Sequence, residues 1–287
     1  MPRIDVDGVS IAYEIIGEIV GEGRPWVLTP GGRFSKDYPG VRELAVALAD
    51  HGNRVLVWDR PNCGESDVCF RGDSESGMQA DVLAGLLRAL DMAPAVVIGG
   101  SGGARVSLLA ANRHPDVASA LGIWWISGGV FGLLSLASYY CAPAVPAVWN
   151  DGLEAVMSIP SFEETFTRRP SNRDLLLAQD PQEFIATMER WMEAYCSCGG
   201  ELVPGLPDEE ARALDIPALV FRSGASDPNH PRETSEQVAG LLPNAQLVEP
   251  PWPDTEWIDR AAGKWQGFER WPLLAPQLAD WAAATLT

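Results

Sequence analysis

The sequence predicts an α/β protein: a mostly parallel, doubly covered sheet with an inserted helical lid. Three observations carry this. Short apolar runs alternate with helix-length segments at both ends of the chain, the order of a sheet with helices on its two faces. The runs are nearly continuous in hydrophobic residues, as buried parallel strands require. The rhythm stops after Ile126 and resumes at Pro217, with a proline-punctuated stretch between.

Taken in order, Gly8 to Gly17 alternates enough for an early strand. Trp26 to Thr29 is a short apolar strand ending in Pro30-Gly31-Gly32. Val41 to Asp50 is helical, with Leu44, Val46, Ala47 and Leu48 as its apolar positions. Arg54 to Trp58 is a buried strand ending at Asp59. In Gln79 to Leu90, residues Val82, Leu83, Leu86, Leu87 and Leu90 recur at helical spacing. Ala95 to Ile98 is a strand that enters Gly99-Gly100-Ser101-Gly102-Gly103 and then a helix, and Ala118 to Trp125 is the next strand. Residues 127 to about 213 carry helix-like segments separated by Pro143, Pro146, Pro160, Pro170, Pro181, Pro204 and Pro207. A strand at Pro217 to Phe221, a helix at Glu233 to Leu242, a strand at Gln246 to Glu249 and a last helix near Trp271 to Leu286 follow. The chain thus divides into a sheet core, residues 1–126 and 214–287, and a helical cap, residues 127–213.

Composition narrows the function. With 287 residues, 46% of them hydrophobic, the chain can bury a sizeable core. No run approaches about 18 uninterrupted apolar residues, so no membrane span is expected; Gly128 to Leu136 is apolar but short. The N-terminus shows no basic region followed by an apolar run. A net charge of −18 disfavours nucleic acid and anionic membrane surfaces. Five scattered cysteines (Cys63, Cys69, Cys141, Cys196 and Cys198) fit reduced thiols in a cytoplasmic protein. Cys196-Ser197-Cys198 lacks a second pair or a nearby histidine, so no metal is expected, and no cofactor. The expected partner is a small-molecule substrate, with a homodimer as an open option.

The chemistry concentrates at Ser101. Gly99-Gly100-Ser101-Gly102-Gly103 is a G-x-S-x-G pattern between a strand and a helix. A serine on so sharp a turn holds strained backbone angles, and its neighbours must approach without Cβ atoms. The turn lifts the hydroxyl above the sheet edge, and the following helix offers free N–H groups to a developing oxyanion.

With these motifs the sequence resembles the α/β-hydrolase superfamily over nearly the whole chain outside the insertion. The resemblance implies Ser101 as nucleophile and the N–H groups of Gly32 and Gly102 as the oxyanion hole, with Arg33 replacing Gly32 if the turn is shifted. Asp59-Arg60-Pro61-Asn62-Cys63-Gly64-Glu65-Ser66 is similar to the family's turn after the fourth strand and is read as structural; Asn62 stands where a glycine is usual and tolerates left-handed angles. Phe221-Arg222-Ser223-Gly224-Ala225-Ser226-Asp227 resembles the strand and turn that deliver the acid of the triad, which makes Asp227 the candidate.

The resemblance also implies a histidine after the last strand, and none is there: Leu247 to Trp257 contains no histidine. His51 and His114 suit helix C-terminal positions, where an imidazole meets the dipole. His230 lies three residues after Asp227 and either acts as the base from an unusual loop or merely starts a helix before Pro231. Asp254 and Glu256 occupy the region where the base belongs; either would need burial to raise its pKa, or would position water or a substrate hydroxyl.

Around this centre, Trp125 and Trp252 are placed near the substrate among 11 tryptophans, and Arg33 is a candidate for binding a carboxylate. Arg105 is read as pairing with the acidic surface rather than with a substrate acid. The leading expectation is a serine-dependent hydrolase of a small apolar or aromatic ester, lactone, amide or carbon–carbon bond. Two alternatives stay open: a cofactor-free lyase or isomerase, and a ligand-binding member that has lost its base.

Overall fold

The computed structural model describes residues 1–196 and 200–286. The first half alternates as β1 (Arg3–Val6), β2 (Val9–Ile16), β3 (Pro25–Thr29), α1 (Val41–Ala49), β4 (Arg54–Trp58), α2 (Glu75–Ala89), β5 (Ala95–Gly100), α3 (Gly102–Arg113) and β6 (Ala118–Trp124). The insertion supplies α4 (Gly129–Tyr140), α5 (Ala144–Asp151), α6 (Pro160–Arg168), α7 (Asn172–Leu177), α8 (Pro181–Glu193) and α9 (Asp208–Ala213). The chain then returns to β7 (Ala218–Phe221), α10 (Arg232–Leu241), β8 (Ala245–Val248), α11 (Glu256–Ala261) and α12 (Ala275–Thr285).

Among the described residues the sheet has eight strands in the order β1-β2-β4-β3-β5-β6-β7-β8. The pairs β1–β2 and β2–β4 are antiparallel and the rest parallel, as expected of a mostly parallel sheet. The expected early strand is β2, and an unforeseen β1 precedes it: Asp7 and Gly8, with φ of 51° and 80°, turn β1 into β2 as a hairpin. The helix expected from Gln79 starts earlier, at Glu75, because the Ser74 hydroxyl accepts from the Gly77 N–H at 3.0 Å and caps it.

Alternate strand residues feed two separate cores. Trp26, Leu28, Val55, Val57, Val96 and Ile98 pack with α1, α12 and the Phe268–Leu274 segment. Val27, Leu56, Trp58 and Val97 pack on the other face with Leu83 and Leu108 of α2 and α3. That is the period-2 signature of a sheet covered on both sides.

Among the described residues the insertion forms no hydrophobic cluster of its own. Leu133, Val156, Phe162, Met188 and Trp191 belong to the same buried cluster as Leu83 and Leu108. It is also tied by hydrogen bonds to the chain between β4 and α2. Thr165 Oγ1 donates to the Asn62 carbonyl at 2.8 Å, Asn172 Nδ2 to the Ser66 carbonyl at 3.0 Å, and Trp191 Nε1 to the Gly72 carbonyl at 3.2 Å. The expected cap is a helical layer that shares the buried cluster of α2 and α3 and is tied to the segment between β4 and α2.

One stretch departs from the expected absence of long apolar segments. Gly129–Asp151, 23 residues with a mean hydropathy of 1.4 over its most apolar window, is long and apolar enough to cross a membrane by length and composition, and 28% of that window is buried. Reading uninterrupted runs missed it because Ser135, Ser138, Pro143 and Pro146 break the run without lowering the average enough. Val130, Phe131, Leu134, Tyr139 and Trp149 are exposed along it.

Candidate active site

The site lies at the C-terminal ends of the central strands. β5 delivers Ser101, which takes φ 57° and ψ −124°, a conformation few side-chain-bearing residues adopt. Its N–H donates to the Trp124 carbonyl at 3.1 Å, which ties the turn to β6. The turn closes only because its neighbours lack side chains: a Cβ on Gly103 would stand 2.0 Å from the Thr29 carbonyl oxygen.

His230 Nε2 lies 2.9 Å from Ser101 Oγ, and His230 Nδ1 lies 2.8 Å from Asp227 Oδ2. The other carboxylate oxygen of Asp227 accepts the N–H groups of Asn229 and His230, at 3.0 and 3.1 Å. This Asx-type turn curls the segment after β7 so that residues 227 and 230 face Ser101 together. Both side chains are almost fully buried, at 7% and 2% exposed for His230 and Asp227. The histidine therefore reaches the serine from the loop that also carries the acid. The three-residue spacing between Asp227 and His230 is what the turn exploits.

The opposite side of Ser101 is formed by the turn after β3. Gly32 has φ 54°. Its N–H and that of Gly102 have no acceptor among the described residues. A Cβ built on Gly102 would lie 3.5 Å from the Gly32 nitrogen, so the two amides border the same small space. Arg60 fixes the turn from beneath: Nη2 donates to the Gly31 carbonyl at 3.2 Å and to the Gly32 carbonyl, and Nη1 to Gln79 Oε1 at 3.3 Å. The Asp59 segment is structural, as expected. Asp59 is buried and accepts from the Lys36 and Glu65 N–H groups, and Asn62 takes φ 69°.

The expected substrate contacts are redistributed. Trp125, strained at φ 48°, lines a cleft of about 320 Å³ that opens on Ser101 and His230, and its ring lies 6.1 Å from the imidazole. Trp252 does not reach the cleft; it packs behind Trp125 at 5.7 Å in the core. Arg33 is not free for a substrate carboxylate. Its Nε and Nη2 grip both oxygens of Glu75 at 3.2 and 3.1 Å, and its guanidinium stacks on Phe162 at 3.8 Å. Burial works against its charge, but Glu75 more than offsets this and holds its pKa up. Asp254 is exposed and paired with Arg232, away from the nucleophile. Glu256 is buried against Arg260 at 3.5 Å; burial raises its pKa, Arg260 opposes, and Asp227 adds to the rise. Neither carboxylate stands at Ser101, because the loop after β8 turns into α11 and points Trp257 there instead, 5.8 Å from the His230 ring.

Sequence reading missed α11 and with it Arg260, whose guanidinium stacks on Trp125 and Trp257 at 4.7 and 4.5 Å. It also misplaced Arg105, which is buried beside Tyr195 and not at the acidic surface. Spacing gave a usable signal for Arg105: it lies four residues after Ser101, one helical turn along the same face. Cys63 and Cys141 are buried, and burial pushes both thiols up to about 12, so neither is a nucleophile at neutral pH. Cys196 is described, whereas Ser197 and Cys198 of the cysteine pair lie outside the described residues.

The fold matches that of known proteins. The family model for the alpha/beta hydrolase fold matches residues 26–123, from β3 through Ser101 to β6. The chain has the α/β-hydrolase fold. Solved structures of that fold superpose along nearly its full length. An enol-lactonase from Burkholderia xenovorans LB400 aligns with a TM-score of 0.62 at 19% identity, over 98% of this chain and 100% of the other. A thermophilic esterase from Thermogutta terrifontis gives 0.61 at 22% identity, over the whole of both chains. A meta-cleavage product hydrolase from Pseudomonas fluorescens IP01 gives 0.60 at 20% identity, over 97% and 98%. Among curated proteins no sequence matches. Within the α/β-hydrolase fold the resemblance implies a histidine after the last strand; in this chain the histidine within hydrogen-bond distance of Ser101 is His230, from the loop of the preceding strand.

Proposed function

We propose that this protein is a serine-dependent hydrolase of small carboxylic esters or lactones whose larger part is apolar or aromatic. The observation that carries it is the contact of His230 Nε2 with Ser101 Oγ at 2.9 Å, backed by Asp227 at 2.8 Å. Asp227 fixes the tautomer by accepting from Nδ1–H, which leaves Nε2 to take the serine proton. Ser101 Oγ then attacks the substrate carbonyl carbon, and the carbonyl oxygen becomes an oxyanion facing the Gly32 and Gly102 amides. The tetrahedral intermediate collapses as His230 returns the proton to the leaving oxygen. Water, activated by the same imidazole, attacks the acyl-enzyme and regenerates Ser101.

The aromatic lining of the cleft by Trp125, Trp257 and Phe268 supports an apolar or aromatic leaving group. The enol-lactonase, the esterase and the meta-cleavage product hydrolase with similar folds are in line with ester and lactone chemistry. The lyase and receptor alternatives were motivated by a missing base, and the His230 contact supplies one. The test is labelling with a fluorophosphonate probe together with turnover of a short-chain aryl ester panel. Wild type is expected to label at Ser101 and to turn over esters, and Ser101→Ala to do neither. Turnover that survives Ser101→Ala would refute the assignment.

A further inference from the structure

Resting on the hydrolase reading, we infer that the substrate carries a carboxylate, bound by Arg105 with Arg60 in the small inner compartment behind the oxyanion amides. That compartment, of about 20 Å³, is walled by Gly32, Arg60, Gln79, Ser101, Arg105 and Tyr195. It has room for a ligand's terminal group and little more.

Three guanidinium groups and one carboxylate are buried around it. Glu75 is committed: Arg33 takes both its oxygens, and Asn62 Nδ2 adds a bond to Oε1 at 3.0 Å. Arg60 and Arg105 have no carboxylate within salt-bridge distance among the described residues, although they are only 2% and 6% exposed. Arg60 is bound to two carbonyls and an amide oxygen, all neutral, and its Nε has no partner. Arg105 has one long bond, Nη2 to Tyr195 Oη at 3.4 Å, and a stacking contact with that ring at 4.6 Å. Its Nε is also buried without a partner.

Buried charge without a counter-charge is costly, and an anion that enters relieves the cost for both guanidiniums at once. A carboxylate suits the planar fork of Arg105, which lies one helical turn beyond Ser101 and so next to the reacting carbonyl. The protein's overall −18 charge repels anions at long range, so recognition here is local. The substrate is then two-ended: a short acid on the arginine side of Ser101 and an apolar or aromatic group in the outer cleft.

The test compares benzyl hydrogen succinate with benzyl butyrate, which differ in a carboxylate against a methyl at the end of the acyl chain. Wild type is expected to favour the succinate ester in kcat/KM by about tenfold or more, the scale of a buried charged hydrogen bond. Arg105→Met is expected to bring that ratio down about tenfold, and Arg105→Lys to restore part of it. A wild-type ratio at or below one, or a ratio that Arg105→Met leaves in place, overturns the carboxylate site; Ser101-dependent hydrolysis of the butyrate ester then keeps the hydrolase reading. If neither ester is turned over, the hydrolase reading fails, and calorimetric titration of succinate into Ser101→Ala decides the carboxylate site. Binding weakened by adding Arg105→Met supports it, whereas no binding, or binding indifferent to Arg105, overturns it.

Discussion

The segments after β7 and after β8 converge on Ser101 from neighbouring strands, yet they carry different groups. The first holds Asp227 and His230, both buried and in line with Ser101. The second holds Glu256, Trp257 and Arg260, which build an aromatic and cationic wall beside them. The difference separates two jobs. In the proposed reaction one loop moves protons, and the other shapes the space for the substrate.

Substitutions on each side should therefore have distinct kinetic signatures. The largest effect is expected at the centre: Ser101→Ala or His230→Gln lowers kcat by about 10⁴ or more with KM little changed, read by steady-state turnover of an aryl ester. Next is Asp227→Asn, which keeps the shape of the turn but leaves Nδ1 without a carboxylate; a fall in kcat of about 10²-fold or more is expected. A kcat that barely responds would mean that the two residues do not work as a unit.

On the other loop, Trp257→Ala should raise KM by about tenfold while kcat stays within a few-fold, because it removes wall area and no proton-transfer group. A kcat collapse instead would erase the division between the loops. The smallest effect concerns Glu256. Its folded pKa is raised by burial, so the folded state holds the proton more tightly than the unfolded chain. The stabilisation is full below the ordinary glutamate range and is lost as pH rises through the raised value. Glu256→Gln does not titrate, so its melting temperature relative to wild type should climb from pH 4 to pH 7; a difference independent of pH would count against a raised pKa.

Much of the scaffold was legible from residue patterns. Apolar strand runs, the Gly-flanked serine and the Asp59 turn are local signals whose physics acts within a few residues. Whether His230 reaches Ser101 was left open, because it depends on sheet order: β7 lies two strands from β5, and the His230–Ser101 contact spans 129 residues. The commitment of Arg33 to Glu75 failed to show for the same reason, since only packing of α2 against the turn after β3 brings that partner near. The hairpin at Asp7-Gly8 and the helix Glu256–Ala261 were missed because each is too short for periodicity to declare itself.

The helical layer between β6 and β7 shares its hydrophobic interior with α2 and α3. Excision of residues 127–213 would strip Phe70 of the Phe162, Phe184 and Trp191 rings that pack on it and leave a wet, oily flank, so the layer is no detachable module. Exchange of this layer with that of another protein would have to preserve the joint as well as the roof.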